Sequence, residues 1–394
     1  MLDFYQHLRN LSVTLEGDLS FANDWEFFMA NPIQRLDNLV ATGPQAGTLE
    51  AFATGVKLRT RYEHLVYEAL ARNRTSLWTS DSRRVIETAK NFGAGFFGID
   101  WKALSTLLII SEAPDLGGDT LTPGRTCRKY RANTDRYGHE YGAKMLYRWR
   151  SHYLPPIIER LKQQNPGLNW TEREVYSMQE LCGFETIAKG SSQWCDVFTH
   201  EEWEQFEYAR DLLHYYRSGP GNPYSITMGW LWLNATANLL RAGPEEAGPL
   251  FFSFVHDGDI IPLLSGLDLF PQPTPLPADR VLQNRTWRTS DIVPMGGRII
   301  FERLVCPSTH CYDNSIYGYP NHVYCDDPHA EVYVRINVND AIVPLPRCEN
   351  GPGRSCPLEQ VLEHVRQRGR VAGDFGKVCG LPENAAKRIT FLHQ

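Results

Sequence analysis

One stretch constrains this chain more than any other: Phe251-Phe252-Ser253-Phe254-Val255-His256-Asp257-Gly258-Asp259-Ile260. A dense apolar run stops at a His-Asp pair and turns apolar again at Ile260-Ile261-Pro262-Leu263-Leu264. A short run rich in Phe and Val suits a strand buried on both faces. In open α/β sheets, ligands bind beyond the carboxyl ends of such strands. A histidine and an acid delivered there together are candidates for chemistry. The same residues also suit a strand-to-helix turn in which Asp257 or Asp259 caps the next helix.

At 394 residues the chain can bury a substantial core, as one large or two interlocked domains. A net charge of -6 leaves no basic footprint for nucleic acid. No apolar segment reaches transmembrane length, so a membrane is not an expected partner either. Met1 leads straight into Leu2-Asp3-Phe4-Tyr5, with no signal peptide. The rest of the composition nevertheless reads as secreted. There are nine cysteines: Cys127, Cys182, Cys195, Cys306, Cys311, Cys325, Cys348, Cys356 and Cys379. Asn-x-Ser/Thr sequons stand at Asn10, Asn73, Asn169, Asn234 and Asn284. Cysteine enrichment toward the carboxyl end, including Cys348 and Cys356 in a Gly/Pro-rich loop, favours disulfides, and the odd count leaves a thiol over. Cys306, His310, Cys311, His322, Cys325 and His329 crowd together but fit no paired zinc framework. No metal or cofactor is expected.

No repeat, low-complexity tract or long linker divides the chain. Thr48 to Tyr67 has helical character, with Leu49, Phe52, Val56, Leu58 and Tyr62 near one face. Thr75 to Ser80 reads as a strand, Asp81-Ser82 as cap candidates, and Arg83 onward as a helix. Leu107 to Ile110 is another strand candidate. From about Tyr141 to Leu240 the chain reads mostly helical, punctuated by Pro155-Pro156, Gly183 and Pro220-Gly221. Strand-like runs return at Leu250 to Val255, Arg298 to Leu304 and Glu331 to Asn337. Alternation at both ends around a helical middle predicts an α/β fold with a helical insertion. Its central sheet is expected to be mixed, mostly parallel and flanked by helices. The sheet domain is assigned to residues 40–115 and 245–394, the helical domain to 1–39 and 116–244.

Arg84 opens the helix after the Thr75–Ser80 strand. A cation in a helix's first turn opposes the macrodipole, which favours anions there. It becomes well placed if an anion occupies the site, because helix amides and a guanidinium then converge on it. Alone, Arg83-Arg84 would be a solvated basic pair. The His256-Asp257 turn, however, is expected at the same edge of the same sheet.

Ser80-x3-Arg84-Val85-Ile86-Glu87-Thr88-Ala89, taken with His256-Asp257 at a strand end, resembles the histidine acid phosphatase family, the two-domain branch of the histidine phosphatases. Thr42–Gly47, Asn91–Gly98, Phe198–Trp203, Val293–Gly297 and Val343–Pro346 are all similar to stretches of fungal phytases and acid phosphatases. The resemblance covers nearly the whole chain and is nearest the phytase B branch. It implies phosphomonoester hydrolysis in two steps through a phosphohistidine, formed on the histidine of an R-H-G-x-R-x-P motif. Splitting the reaction in this way replaces one hard step with two easier ones. It further implies that Arg84 holds phosphoryl oxygens and that His256 hydrogen-bonds the phosphate. Asp257 would protonate the leaving oxygen, work best done by a carboxyl of raised pKa. Phosphomonoesters, phytate included, are the implied partners. The lack of a basic excess leans toward broad acid phosphatase activity. Cys348 pairing with Cys356, and Cys182 with Cys379, also follow from the resemblance. A homo-oligomer is left open.

The chain departs from the family in one respect. It contains no Arg-His dipeptide, so R-H-G-x-R-x-P is absent. In the family that motif lies on the first strand of the central sheet, shortly before the region that Gly17–Trp25 resembles. The expectation is a chain without its catalytic amino terminus and signal peptide, inactive as written and folding poorly. Losing a central strand would bare ladder groups on both neighbours. The alternative is a non-catalytic phosphate- or anion-binding pseudoenzyme on the same scaffold. His64, His139 and His200 carry no motif and are expected to be structural or surface histidines.

Overall fold

The computed structural model describes residues 1–28, 47–306 and 330–394. Ten helices of eight or more residues are used below: α1 Leu2–Arg9, α2 Gly47–Arg61, α3 Glu63–Ala71, α4 Arg83–Phe97, α5 Tyr141–Gln164, α6 Glu172–Lys189, α7 His200–Arg217, α8 Pro223–Ala247, α9 Asp257–Leu267 and α10 Leu358–Ala372. The strands are β1 Leu77–Ser80, β2 Leu107–Ile110, β3 Phe252–Phe254, β4 Ile299–Cys306, β5 Glu331–Val338, β6 Ala341–Ile342 and β7 Cys356–Pro357. The fold is α/β, with a parallel sheet in the order β2-β1-β3 flanked by helices. The remaining strands form an antiparallel sheet in which β5 lies between β4 and both β6 and β7. Parallel and antiparallel pairing together give the mixed character expected.

β1 is central and every one of its residues is buried. β3, expected to be buried on both faces, is only half-buried along its length. The reason is its free edge, since among the described residues β3 pairs with β1 alone and β4 with β5 alone. Both strands nevertheless contribute to the same two cores. Phe252, Phe254 and Ile300 pack on the cluster of Leu77, Phe92 and Phe96, whereas Phe251, Val255, Ile299 and Phe301 pack on the large cluster of Trp78, Leu264 and Val334. Among the described residues, each strand therefore has one edge without a partner.

Helices α2 and α4 cover one face through a close crossing. A Cβ on Gly95 would stand 2.1 Å from the Phe52 carbonyl oxygen, and one on Gly55 would stand 2.4 Å from that of Phe92. The buried residues of α2 are Ala51, Gly55 and Leu58. Leu49, Phe52 and Val56, placed on the inner face by periodicity, are exposed instead. Backbones this close admit only small side chains between them, and the larger ones are turned to the rim.

The segment between β2 and β3 is largely helical. Thr171 with Glu174, and Thr199 with Glu202, form reciprocal capping boxes that start α6 and α7. Two expected breaks do not occur. α5 runs through Pro155-Pro156, held by buried Tyr153, Leu154, Ile157 and Leu161. Prolines forfeit intrahelical bonds, and the packed face outweighs that loss. Gly183 lies inside α6, while Pro220-Gly221 does separate α7 from α8.

Cys348 is bonded to Cys356. The expected Cys182–Cys379 pair is replaced by Cys182–Cys195 and Cys127–Cys379. Packing explains the exchange. Cys182 on α6 lies against the turn that carries Cys195, whereas Cys379 sits with Cys127, Tyr130, Tyr224 and Phe375 in a separate small core. Cys306 ends β4 without a disulfide partner among the described residues. His310, Cys311, His322, Cys325 and His329 lie outside the described residues, as do Thr42–Ala46.

Candidate active site

Parallel register brings three strand ends to one edge. Thr79 stands beside Phe254, and Ser80 beside Ile110. Beyond that edge lie Asp81 to Arg84 after β1, Ser111-Glu112 after β2, and Val255 to Asp257 after β3. The Glu112 N–H donates to Asp81 Oδ2 at 3.2 Å, tying the first two exits together. α4 and α9 both begin here, so two helix N-termini face the same space.

Arg84 lies in the first turn of α4, and its NH2 is 3.2 Å from His256 Nδ1. A guanidinium only donates, so Nδ1 must accept and the ring proton resides on Nε2. That Nε2–H donates to Glu112 Oε1 at 2.9 Å. The other Glu112 oxygen accepts from Arg125 Nε at 3.2 Å. Burial disfavours the Glu112 carboxylate, but its bonds to His256 and the Arg125 charge prevail and hold its pKa below the ordinary value.

Asp257 is the first residue of α9 and half-exposed. Its Oδ2 lies 3.5 Å from His214 Nδ1. The other His214 nitrogen faces Arg210 NH2 at 3.3 Å, and Nδ1, though close to Asp257, makes no hydrogen bond. Arg210, His214 and Arg217 recur on one face of α7, the face turned to the His-Asp turn. Burial pushes His214 down to about 4. Burial also works against ionised Asp257, but His214, Arg217 and the Gly258 N–H outweigh it and set its carboxyl below the usual range. The raised pKa expected of a general acid is therefore not found at Asp257. Nearby cations and a helix N-terminus dominate over desolvation at a half-exposed carboxyl.

His256 is the N-cap of α9, and Asp259 is the third helical residue that reaches back to it. The Asp259 Oδ2 accepts from the His256 N–H at 3.3 Å, closing a capping box, and burial raises the Asp259 pKa well above normal. His139 is half-buried beside Tyr130, with its pKa pushed to about 4 by burial and by Arg217, Arg131 and Arg125. His200 is exposed at the start of α7.

Arg84, His256 and Asp257, three residues singled out in the sequence, thus converge. Glu112, Arg125, His214 and Arg217 were not foreseen. Glu112 follows a strand end by two residues and was open to the sheet-edge rule that drew attention to His256. His214 and Arg217 had only the helical spacing of their helix to signal them.

The model for the histidine phosphatase superfamily (branch 2) matches residues 2–339. A phytase of Candida albicans is 34% identical over 393 residues, covering 98% of this chain and 77% of the relative. An acid phosphatase of Komagataella pastoris is 32% identical, covering 97% of this chain and 76% of that protein. The crystal structure of the phytase from D. castellii is similar at a TM-score of 0.83 and 31% identity, covering 99% of this chain and 78% of that one. The family match spans most of the chain and the D. castellii phytase shares its fold. The chain therefore belongs to the histidine phosphatase superfamily, branch 2.

Proposed function

We propose that this chain is the body of an acid phosphomonoesterase, a phosphoric monoester hydrolase of the histidine phosphatase type. Phytate would be one substrate among simpler phosphomonoesters. The single observation that carries the reading is the convergence of Arg84 and His256, 3.2 Å apart, where two helices begin. A phosphoryl group there would meet a guanidinium fork, an imidazole and helix amides at once. Asp257 would protonate the leaving oxygen. Its low pKa at rest is compatible with that role, because a phosphoryl anion arriving beside it is a like charge and raises it. The sheet-domain and helical-domain assignments made above are part of the same reading.

The nucleophile would come from a segment carrying R-H-G-x-R-x-P, a motif these 394 residues lack. The unpaired edges of β3 and β4 support a strand between them. On this reading the 394-residue chain alone does not turn over substrate, and an extended chain, with such a segment joined ahead of Met1, does. Secretion is supported by exposed sequons and by disulfides. The absence of any Arg-His dipeptide favours a second reading, a non-catalytic anion binder on the same scaffold.

Calorimetric titration of inorganic phosphate into the 394-residue chain and its Arg84→Ala variant tests the shared part of both readings. Binding weakened at least about tenfold by loss of the guanidinium is expected. Equal affinity in the two proteins would remove Arg84 from the site. An extended chain that binds phosphate without hydrolysing any phosphomonoester would leave the second reading standing.

A further inference from the structure

Glu112 has no part in the chemistry described so far, yet its carboxylate is fixed at both oxygens. Oε1 accepts a hydrogen bond from His256 Nε2–H and Oε2 accepts one from Arg125 Nε–H, while the Glu112 N–H donates to Asp81. Its side chain is mostly enclosed, as is that of His256. Such a carboxylate, hydrogen-bonded directly to the ring's far nitrogen, decides which nitrogen carries the proton and how the ring is turned.

We propose that Glu112 is a positioning residue that locks His256 with Nε2–H turned inward, so that Nδ1 faces the Arg84 guanidinium and the phosphoryl oxygens bound there. This rests on the phosphate-site reading given above. In the structure Arg84 satisfies Nδ1. When an anion draws the guanidinium away, Nδ1 needs a proton to donate to a phosphoryl oxygen, and solvent supplies it. The ring then carries both protons, and the Nε2–H···Glu112 bond becomes an ion pair that holds the charge beside the phosphate. Charged neighbours act from every side of the ring. Arg84 comes from α4 and Arg125 from the short helix Pro123–Thr126. Asp257 and Asp259 belong to α9, and His214 and Arg217 reach the turn through Asp257. Among them Glu112 alone is in contact with Nε2 and carries negative charge.

The competing reading is that Glu112 is a resident anion which the phosphate must displace. The two make opposite predictions. Nitrogen-15 NMR of the ring, with His256→Ala for assignment, reads the tautomer in the wild-type chain, Glu112→Gln and Glu112→Ala. Calorimetry with inorganic phosphate reads affinity in the same proteins and in the extended chain, so that a folding defect in the shorter protein does not remove the readout. The expected result is an Nε2-protonated ring in the wild type and mixed tautomers in Glu112→Ala. Phosphate binding should weaken about tenfold or more in both variants, with Glu112→Gln keeping more of the ring's order than of the affinity. An unchanged tautomer in Glu112→Ala, or phosphate binding as tightly or more tightly in either variant, would overturn the proposal. If the wild type binds no phosphate, or binds it independently of Arg84, the phosphate-site reading fails. The tautomer still decides whether Glu112 holds the ring.

Discussion

At the scale of single residues, electrostatics separate Asp257 from Asp259 although both begin α9. Asp259 is buried in the capping box with its pKa raised, and Asp257 is half-exposed among cations with its pKa lowered. Only Asp257 is free to exchange a proton with a substrate. In the extended chain, Asp257→Asn is expected to slow turnover of an alkyl phosphate by roughly 10²–10⁴-fold and to affect an aryl phosphate with a good leaving group much less. The falling alkaline limb follows with its sign. On the proposed role Asp257 must be protonated, so rate declines as pH rises through its pKa. Because bound phosphate raises that pKa, the limb in kcat should lie at higher pH than the limb in kcat/KM. Coincident limbs would contradict the assignment. His214 makes a separate prediction about stability. Its folded pKa is about 4 against 6.5 ordinarily, so between these values the unfolded chain binds more protons. Stability from this group is whole above 6.5 and is lost as pH falls toward 4, by up to roughly 1.4 kcal/mol per pH unit. Urea midpoints of the extended chain across that range should fall more steeply than those of its His214→Gln variant.

At the scale of elements, much was legible. The strands β1, β2 and β3, the start of α4 and the cap of α9 are all written in runs of apolar residues bounded by polar turns. Local patterns carry such information because neighbours in sequence make the contacts. The misreadings came where tertiary packing overrode the local signal. Pro155-Pro156 looked like a stop, but one buried face carries α5 through it. Leu49, Phe52 and Val56 looked like an inner face, but the Gly55–Gly95 crossing turned them outward. Glu112 and His214 were hidden for a related reason, since their significance lies in partners 144 and 43 residues away, as the Glu112–His256 and His214–Asp257 contacts show. The helix crossing makes its own prediction. Gly95→Ala places a methyl 2.1 Å from a backbone oxygen that cannot yield without parting α2 from α4. A loss of about 1–3 kcal/mol by urea unfolding of the extended chain is expected, and a neutral outcome would show the crossing to be looser than described.

At the scale of the whole molecule, the resemblance to a family reached further than any periodicity. It brought Arg84 and His256, separated by 172 positions, to one site. It failed on the Cys182 and Cys379 partners, because cysteine pairing depends on which small core each residue enters. The proposed secretion has a direct consequence for the sequons. Asn10, Asn73, Asn169 and Asn284 are exposed, but Asn234 is half-buried within α8. Intact-mass and site-occupancy analysis of protein secreted from a fungal host should find glycans among the first four and none at Asn234.

The most direct test is hydrolysis of an aryl phosphate at acidic pH by two purified proteins, the 394-residue chain and the extended chain. No turnover by the first is expected, together with turnover by the second that collapses in Arg84→Ala. Robust hydrolysis by the 394-residue chain itself would contradict the central claim that its phosphate-holding half and its nucleophile lie on different segments.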